Sequence, residues 1–506
     1  MNNLLFDALL SGREAGNGQL FVDADGEAIM SDAEFFNLCY RIAAVLINQG
    51  VSAGDRVAVQ VPKCIEALAL YAACLRTGAV FLPLNTAYTE EEVRYFVDDA
   101  TPALLVMDEK FRERGNRLVG SKRLLTLSAE GRGSLLEMAR QSAPIEQVVA
   151  RNENDLAAIL YTSGTTGRSK GAMLTHGNLL SNARTLVQFW QFSHNDVLLH
   201  ALPIFHTHGL FVACNILLLS GGRMIFQPGF SVDAAMQALP AATTMMGVPT
   251  FYTRLLADQR FTSESVSHMR LFISGSAPLL TETHKEFERR IGMRILERYG
   301  MTETNMNTSN PCDGDRIAGT VGVALPGVEL RVCSEHTHEE LGLNEIGVLH
   351  VRGPNVFSGY WQMPEKTAEE LLPDGFFITG DLATIDERGY VTIVGRSKDL
   401  IISGGYNIYP REIERVMDDV PGVEESAVVG VPHDDFGEAV LAVVVRAQTS
   451  EGFSLTDSAL RDQLQNSLAR FKQPRFIVFD EQLPRNSMGK VQKNKIREQY
   501  ADSFAS

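Results

Sequence analysis

Apolar residues near the start of the chain alternate between two periods, and that alternation points to a fold class. Between residues 32 and 50, Phe35, Leu38, Cys39, Ile42, Ala43, Leu46 and Ile47 recur at the spacing of one helix face. A Gly54-Asp55 turn then leads into RVAVQV at 56–61, a short strand. The rhythm repeats, with a helix over 65–76, a strand over 79–84 (AVFLPL), a helix over 90–98 and a strand over 103–108 (ALLVMD). Helices alternating with short apolar strands predict a mainly parallel sheet covered by helices. Residues 112–154 break the pattern and read as a polar, irregular excursion.

The apolar run DLAAIL at 155–160 reads as the end of another buried strand, followed by a helix over 178–189. LLHALPIFHTHGL runs a strand into a polar turn, and strand-like pieces recur at RMIFQ, TTMMGVP, MRLFISG and RILERYG. Each ends in Gly, Pro or polar residues, and such strand ends form the ligand crevice of open α/β sheets. From Gly319 onward the pattern changes to short strands separated by turns (GVELRVC, GVLHVRG, GFFITGDLATI, GYVTIVGR), which predicts an antiparallel, β-rich subdomain. The turn residues Gly395-Arg396-Ser397-Lys398-Asp399 close it. The remainder reads as a compact α+β unit with a helix over 410–418, strands SAVVGVP and AVLAVVVR, a helix near 457–469 and a basic tail. We therefore expect a large α/β domain over 1–396 and a small α+β domain over 397–506.

A length of 506 residues supports more than one core. A net charge of −16 argues against a general nucleic-acid or anionic-membrane binder, so an anionic substrate needs a local cationic site. The six cysteines are scattered without a C-x-x-C pair, which suits reduced, buried thiols. No basic-then-apolar leader opens the chain and no run of about eighteen apolar residues occurs, so neither a secretory signal nor a membrane span is expected. Cytoplasmic residence is the default expectation.

Chemistry concentrates first in YTSGTTGRSKG at 161–171. Its glycines let backbone N–H groups approach a polyphosphate, while hydroxyls and a Lys neutralise oxygens. The stretch fails the G-x-x-x-x-G-K-[ST] template, because Gly164 and Gly167 are two residues apart and Lys170 follows no glycine. By composition alone a flexible surface loop fits equally well. His206-Thr207-His208, read as the strand running on into a turn, invites a metal reading, but no nearby Cys or carboxylate completes a ligand set. SGSAPL at 274–279 does not satisfy G-x-S-x-G, so a serine-hydrolase elbow is not supported.

Seven clusters, in order and spacing, resemble the motifs of the adenylate-forming superfamily of acyl-CoA synthetases, luciferases and adenylation domains. They are YTSGTTGRSKG, the His206-Thr207-His208-Gly209 turn, SGSAPL, YGMTET (299–304), ITGDL (378–382), GRSKDLIISGG (395–405) and PRNSMGKVQK (484–493). The resemblance spans essentially the whole chain. It implies that a carboxylate attacks the α-phosphorus of MgATP to give an acyl-adenylate and pyrophosphate, and that a thiol, usually that of coenzyme A, then attacks the adenylate.

By that resemblance Thr162, Ser163, Gly164, Thr165, Thr166, Gly167 and Lys170 hold the departing phosphates, and Glu303 is the Mg²⁺ carboxylate. Thr302 contacts the α-phosphate, and Tyr299, Gly300, Met301, Ser276 and Ala277 belong to the nucleotide site, Tyr299 packing on adenine. Asp381 and Arg396 bind the ribose, and Lys490 is the catalytic lysine between substrate carboxylate and α-phosphate. Lys398 is the hinge of a mobile small domain, with Gly404-Gly405 on the loop approaching the pantetheine tunnel. His206, Thr207 and Met306 are assigned to the acyl side.

Many relatives carry Gly immediately before the YGMTET motif, where this chain has Arg298. A guanidinium there shortens the pocket and offers a fork to a second carboxylate, with Ser276 adding a hydroxyl. The implied substrate is a small dicarboxylate. The runs ERYGMTETNMNTSNP, PIFHTHGLF and GVPTFYTRLL are most similar to the malonyl-CoA synthetase branch of the superfamily, with methylmalonate as a second acid. The alternatives are another small acid, or loading of a separate carrier protein. The remaining expectations are small-molecule substrates only, no nucleic acid, no stable membrane association, and a monomer or weak homodimer.

Overall fold

Two parallel-centred sheets carry the large domain's apolar runs, in a computed structural model that describes residues 3–14, 18–162, 169–335, 337–403, 406–433, 436–486, 489–501 and 503. The first sheet has six strands in the order Leu124–Thr126, Leu104–Met107, Arg56–Gln60, Val80–Pro83, Leu156–Thr162, Lys170–Thr175. All pairs are parallel except the last, where Leu156–Thr162 runs antiparallel to Lys170–Thr175. Helices stand where periodicity predicts them. Asp32–Asn48 begins with a Ser31/Glu34 capping box. Ile65–Thr77 stops at Gly78, whose φ of 71° is the left-handed value a helix C-terminus favours.

The excursion at 112–154 corrects the sequence reading. It contains the helices Arg112–Val119 and Ser134–Gln141 and the edge strand Leu124–Thr126. Eight-residue helices and a three-residue strand are too short to show a period, and Gly115 reads as a breaker. Its missing Cβ is what lets the helix lie on Leu124 and Met107: a Cβ there would come within 2.6 Å of Leu124.

The second sheet has nine strands in the order Val323–Ala324, Asn305–Ser309, Leu296–Met301, Leu271–Ser274, Thr244–Gly247, Val197–His200, Arg223–Phe226, Gln19–Val22, Ala28–Ser31. Its centre is parallel, so the carboxyl ends of the five strands from Leu296–Met301 to Arg223–Phe226 open onto one edge. A second correction falls here. After His200 the chain leaves the strand, and His208–Cys214 forms a π-helical segment, so the two histidines do not lie on a strand at all.

The β-rich part is an antiparallel sheet of Glu329–Cys333, Gly347–Arg352, Phe377–Ile385 and Val391–Arg396. A short turn of 3₁₀ helix, Ser397–Asp399, then leads into a separate sheet built from Tyr406–Ile408, Ile401–Ser403, Gly437–Arg446 and Val423–His433, with Phe476–Asp480 parallel to Gly437–Arg446. That sheet has its own core of Ile401, Ile408, Ile413, Met417, Val428, Val440 and Leu464, distinct from the large core around Phe35, Leu68, Tyr71 and Trp190. No helix among the described residues is long and apolar enough to cross a membrane.

Candidate active site

The crevice at the strand ends gathers three groups of side chains, each set by a local backbone feature. Asp381 and Arg396 sit directly opposite each other on neighbouring antiparallel strands. Arg396 Nε donates to Asp381 Oδ1 at 2.9 Å, and Tyr299 donates its hydroxyl to Oδ2 at 2.6 Å. The Asp381 charge beside Arg396 raises the guanidinium's pKa, and burial together with that same carboxylate raises the Tyr299 phenol. Gly300 follows at a shift in register, where a Cβ would meet the Asn305 carbonyl at 1.9 Å. That close approach turns the chain so that Met301 and Thr302, both half-buried, line the crevice.

Glu303 centres the second group. It is buried, and burial raises its carboxyl pKa. Tyr360 directs its hydroxyl at Glu303 Oε1 (3.1 Å) and at Glu370 Oε2 (2.6 Å), and Thr162 Oγ1 lies 3.5 Å from Glu303. Lys170 pairs with Glu370 at 3.1 Å. Burial works against the Glu370 charge, but the hydrogen bonds from Tyr360 and Lys366 and the Lys170 charge hold its carboxyl below the usual range. Ser163, Gly164, Thr165, Thr166 and Gly167 lie outside the described residues, so the structure positions only the two ends of that loop.

Arg298 anchors the third group. Its guanidinium is buried against Gly275, where a Cβ would come within 2.3 Å of Cζ. Nε and one terminal nitrogen have no hydrogen-bond partner, and among the described residues no acid pairs with it. Burial pushes the Arg298 pKa down to about 9, which still leaves it charged at neutral pH. Glu297, the neighbouring acid, is engaged elsewhere, 3.2 Å from His284 Nδ1. Facing Arg298 are His208 and Ser276, whose Nδ1 and Oγ lie 3.2 Å apart. Ser276 holds a φ of 71°, a left-handed conformation that costs a non-glycine residue about 1–2 kcal/mol. Burial, with the Arg298 charge adding to it, pushes His208 well below its ordinary pKa, and burial lowers His206 to about 4, so both imidazoles are neutral donors or acceptors. His206 Nε2 and His208 Nε2 are also unpartnered. An unpaired buried cation flanked by unsatisfied polar atoms is a cradle for an anion.

Thr207 donates to Asn305 Oδ1 at 3.0 Å, which ties the histidine turn to the strand after Glu303. Met306 is fully buried beneath Gly300, its carbonyl held by Asn182 at 2.9 Å. Ala277 is half-buried beside Ser276.

Lys490 reaches this crevice from the small sheet's side. Gly489 stands with its would-be Cβ 3.6 Å from Thr250 Oγ1, and Arg396, Asp381, Asp399 and Lys398 are close enough to bias the Lys490 charge. The residue as a whole is exposed to solvent, while charged protein groups surround its ammonium. Desolvation, helped by Arg396, pushes its pKa down to about 8. Lys398 sits in the Ser397–Asp399 turn between the two sheets, and Asp399 is ion-paired to Arg497. Gly404 and Gly405 lie outside the described residues.

With this geometry in place, two family models match the chain: AMP-binding enzyme over residues 13–361 and AMP-binding enzyme C-terminal domain over residues 412–490. The chain belongs to the AMP-binding enzyme family. ATP-bound MatB from Rhodopseudomonas palustris superposes with a TM-score of 0.96 at 53% identity, covering 100% of both chains, and the apo form of that protein superposes at 0.85. A mitochondrial malonate–CoA ligase of Mus musculus is 35% identical, covering 90% of this chain and 84% of the relative. A feruloyl-CoA synthase of an Amycolatopsis species is also 35% identical, covering 94% and 95%. Whole-chain similarity to AMP-binding enzymes thus brings in relatives acting on very different acids, and the choice of acid rests on the pocket.

Sequence reasoning missed several residues that this member of the family places in or behind the crevice. Tyr360 and Glu370 complete the Glu303 group, and His208 belongs to the Arg298 cradle. Behind the histidine turn, Lys63 is buried with its ammonium 2.8 Å from His200 Nδ1, which leaves His200 Nε2–H to donate to the Gly209 carbonyl at 2.8 Å. No motif marks these residues, which lie far apart in sequence and meet only when the sheets fold.

Proposed function

We propose that this AMP-binding enzyme is an ATP-dependent malonate–CoA ligase, forming malonyl-CoA through a malonyl-adenylate with release of AMP and pyrophosphate, and accepting methylmalonate as a second acid. The observation that carries the choice of acid is Arg298, a buried guanidinium without an acid partner among the described residues. A dicarboxylate satisfies it at one end and presents its other carboxylate to ATP, whereas an apolar acyl chain leaves it desolvated and unpaired.

In this reading Asp381 accepts hydrogen bonds from the ribose hydroxyls with Arg396 as the second contact, Tyr299 packs on adenine, and Thr302 touches the α-phosphate. Met301, Ser276 and Ala277 complete the nucleotide wall. The Thr162–Lys170 loop grips the departing phosphates. Glu303 is the carboxylate suited to Mg²⁺, because burial without a dedicated counter-ion disfavours its charge and a cation restores it. That ion, when bound, would neutralise phosphate charge.

Ser276 Oγ and the neutral His208 orient the distal carboxylate on Arg298, while His206, Thr207 and Met306 bound the acyl side. Lys490 bridges the reacting carboxylate and the α-phosphate, so that charge developing in the transition state meets a fixed ammonium. The division at Arg396–Ser397 makes residues 397–506 a mobile unit that turns about Lys398 and brings Gly404-Gly405 to the coenzyme A tunnel. We further propose a cytoplasmic monomer or weak homodimer.

Incubating the protein with malonate, ATP and coenzyme A tests the reaction. AMP, pyrophosphate and malonyl-CoA are expected in equal amounts, while ADP and phosphate would exclude adenylate chemistry. Lys398→Pro should spare malonate-dependent pyrophosphate release and abolish thioester formation, because a fixed φ resists the hinge rotation. Undiminished overall turnover in that variant would remove Lys398 from the hinge.

A further inference from the structure

The phosphate-loop lysine has a protein carboxylate as its partner. Lys170 Nζ lies 3.1 and 3.2 Å from the two oxygens of Glu370 and 4.1 Å from the centre of the Tyr360 ring. Tyr360 donates to Glu370 at 2.6 Å and reaches Glu303 at 3.1 Å, so one hydroxyl links the two acids. Lys366 is a second cation on Glu370, at 3.0 Å. Backbone contacts fix the arrangement. Trp361 N donates to Gly171 O at 2.8 Å and Met173 N to Gly359 O at 3.0 Å, so residues 359–361 lie along the strand that begins at Lys170. Glu370 then ends the helix Pro364–Glu370 that follows this segment.

Backbone pairing keeps the Lys170 ammonium and the Glu370 carboxylate within reach of each other when an anion arrives. The anion must share or displace Glu370, and the like charges of a polyphosphate and a carboxylate around one ammonium repel. We propose that Glu370 is a positioning residue that competes with pyrophosphate for Lys170, aiming the ammonium toward Glu303 and taking it back as pyrophosphate leaves. This rests on the reading that Lys170 grips the departing phosphates. It adds a built-in limit on how tightly they are held, so that the leaving group does not stay bound through the thiol half-reaction.

Glu370→Gln in the full-length protein is the test, because the amide keeps an acceptor for Tyr360 while removing the charge. Pyrophosphate inhibition of malonate-dependent AMP formation should become tighter by roughly tenfold, the scale of one charge-assisted hydrogen bond. The KM for ATP should fall in the same direction, and the KM for malonate should not move. Glu370→Ala must give the same sign, and Glu370→Gln added to Lys170→Met should give no further tightening. An unchanged or weaker pyrophosphate inhibition in both Glu370 variants overturns the inference; weaker binding would make Glu370 a cation ligand instead. A wild-type protein that releases no pyrophosphate from ATP would defeat the underlying reading, whereas normal release with unaltered inhibition in the variants defeats this inference alone.

Discussion

Replacing Lys490 with alanine is expected to slow malonyl-adenylate formation by roughly a hundred- to a thousandfold, the cost of removing one preorganised electrostatic donor from a reacting centre. Conversion of preformed malonyl-adenylate and coenzyme A to the thioester should largely survive if, as proposed, residues 397–506 turn about Lys398 between the half-reactions. Single-turnover measurement of each half separates the two outcomes. Equal loss in both halves would make Lys490 a folding or docking residue.

The same lysine sets a pH dependence. Its pKa is pushed down to about 8, so the ammonium is charged below that value and progressively lost above it. The kcat/KM for adenylate formation should therefore fall as pH rises through about 8, since this parameter follows the free enzyme. Lys490→Arg, which keeps its charge, should move that falling limb up toward the one set by Arg298 at about 9, even where its absolute rate is lower.

Arg298→Gly carries the second large effect. A malonate carboxylate paired with a buried guanidinium is a desolvated ion pair, and removing one partner of such a pair typically costs about 3–5 kcal/mol. The kcat/KM for malonate should therefore fall by roughly two to four orders of magnitude. Acetate and butyrate, which leave Arg298 unpaired in the native pocket, should be used as well as before or better. The physical contrast lies in the neighbours. Glu297 is engaged with His284, and Gly275 has no side chain to displace the guanidinium, so the cation faces the crevice instead of forming a structural bridge. Unchanged malonate kinetics in the variant would detach acid selection from Arg298.

How much of this was legible before the structure depended on whether the signal was local. The helix and strand periods at 32–108 placed the first sheet's elements close to their observed bounds, because each apolar run is buried by its own neighbours. Asp381 and Arg396 were legible only through the family resemblance of ITGDL and GRSKD, since alone they read as turn residues; the register that sets them opposite each other follows from a short hairpin. The helices at Arg112–Val119 and Ser134–Gln141 were not, since eight residues carry too little period, and the first is also interrupted by Gly115.

Nor were the partners Tyr360 and Glu370 legible, because their meaning comes from residues 359–361 lying along residues 171–173. The histidine turn misled for a different reason. Residues 206–208 read as the continuation of a strand, but the chain enters a π-helical segment and His208 turns into the Arg298 cradle. Arg298 itself was readable as an unusual cation; that it lacks an acid partner among the described residues could come only from coordinates.

Pyrophosphate release, measured across a panel of mono- and dicarboxylic acids with ATP and with or without coenzyme A, tests the central claim most directly. The account predicts that malonate gives the strongest release, that methylmalonate follows, that monocarboxylates of equal length lag well behind, and that coenzyme A converts the product to a thioester with AMP. Release that is strongest with an apolar or aromatic monocarboxylate, or absent with malonate, would contradict it.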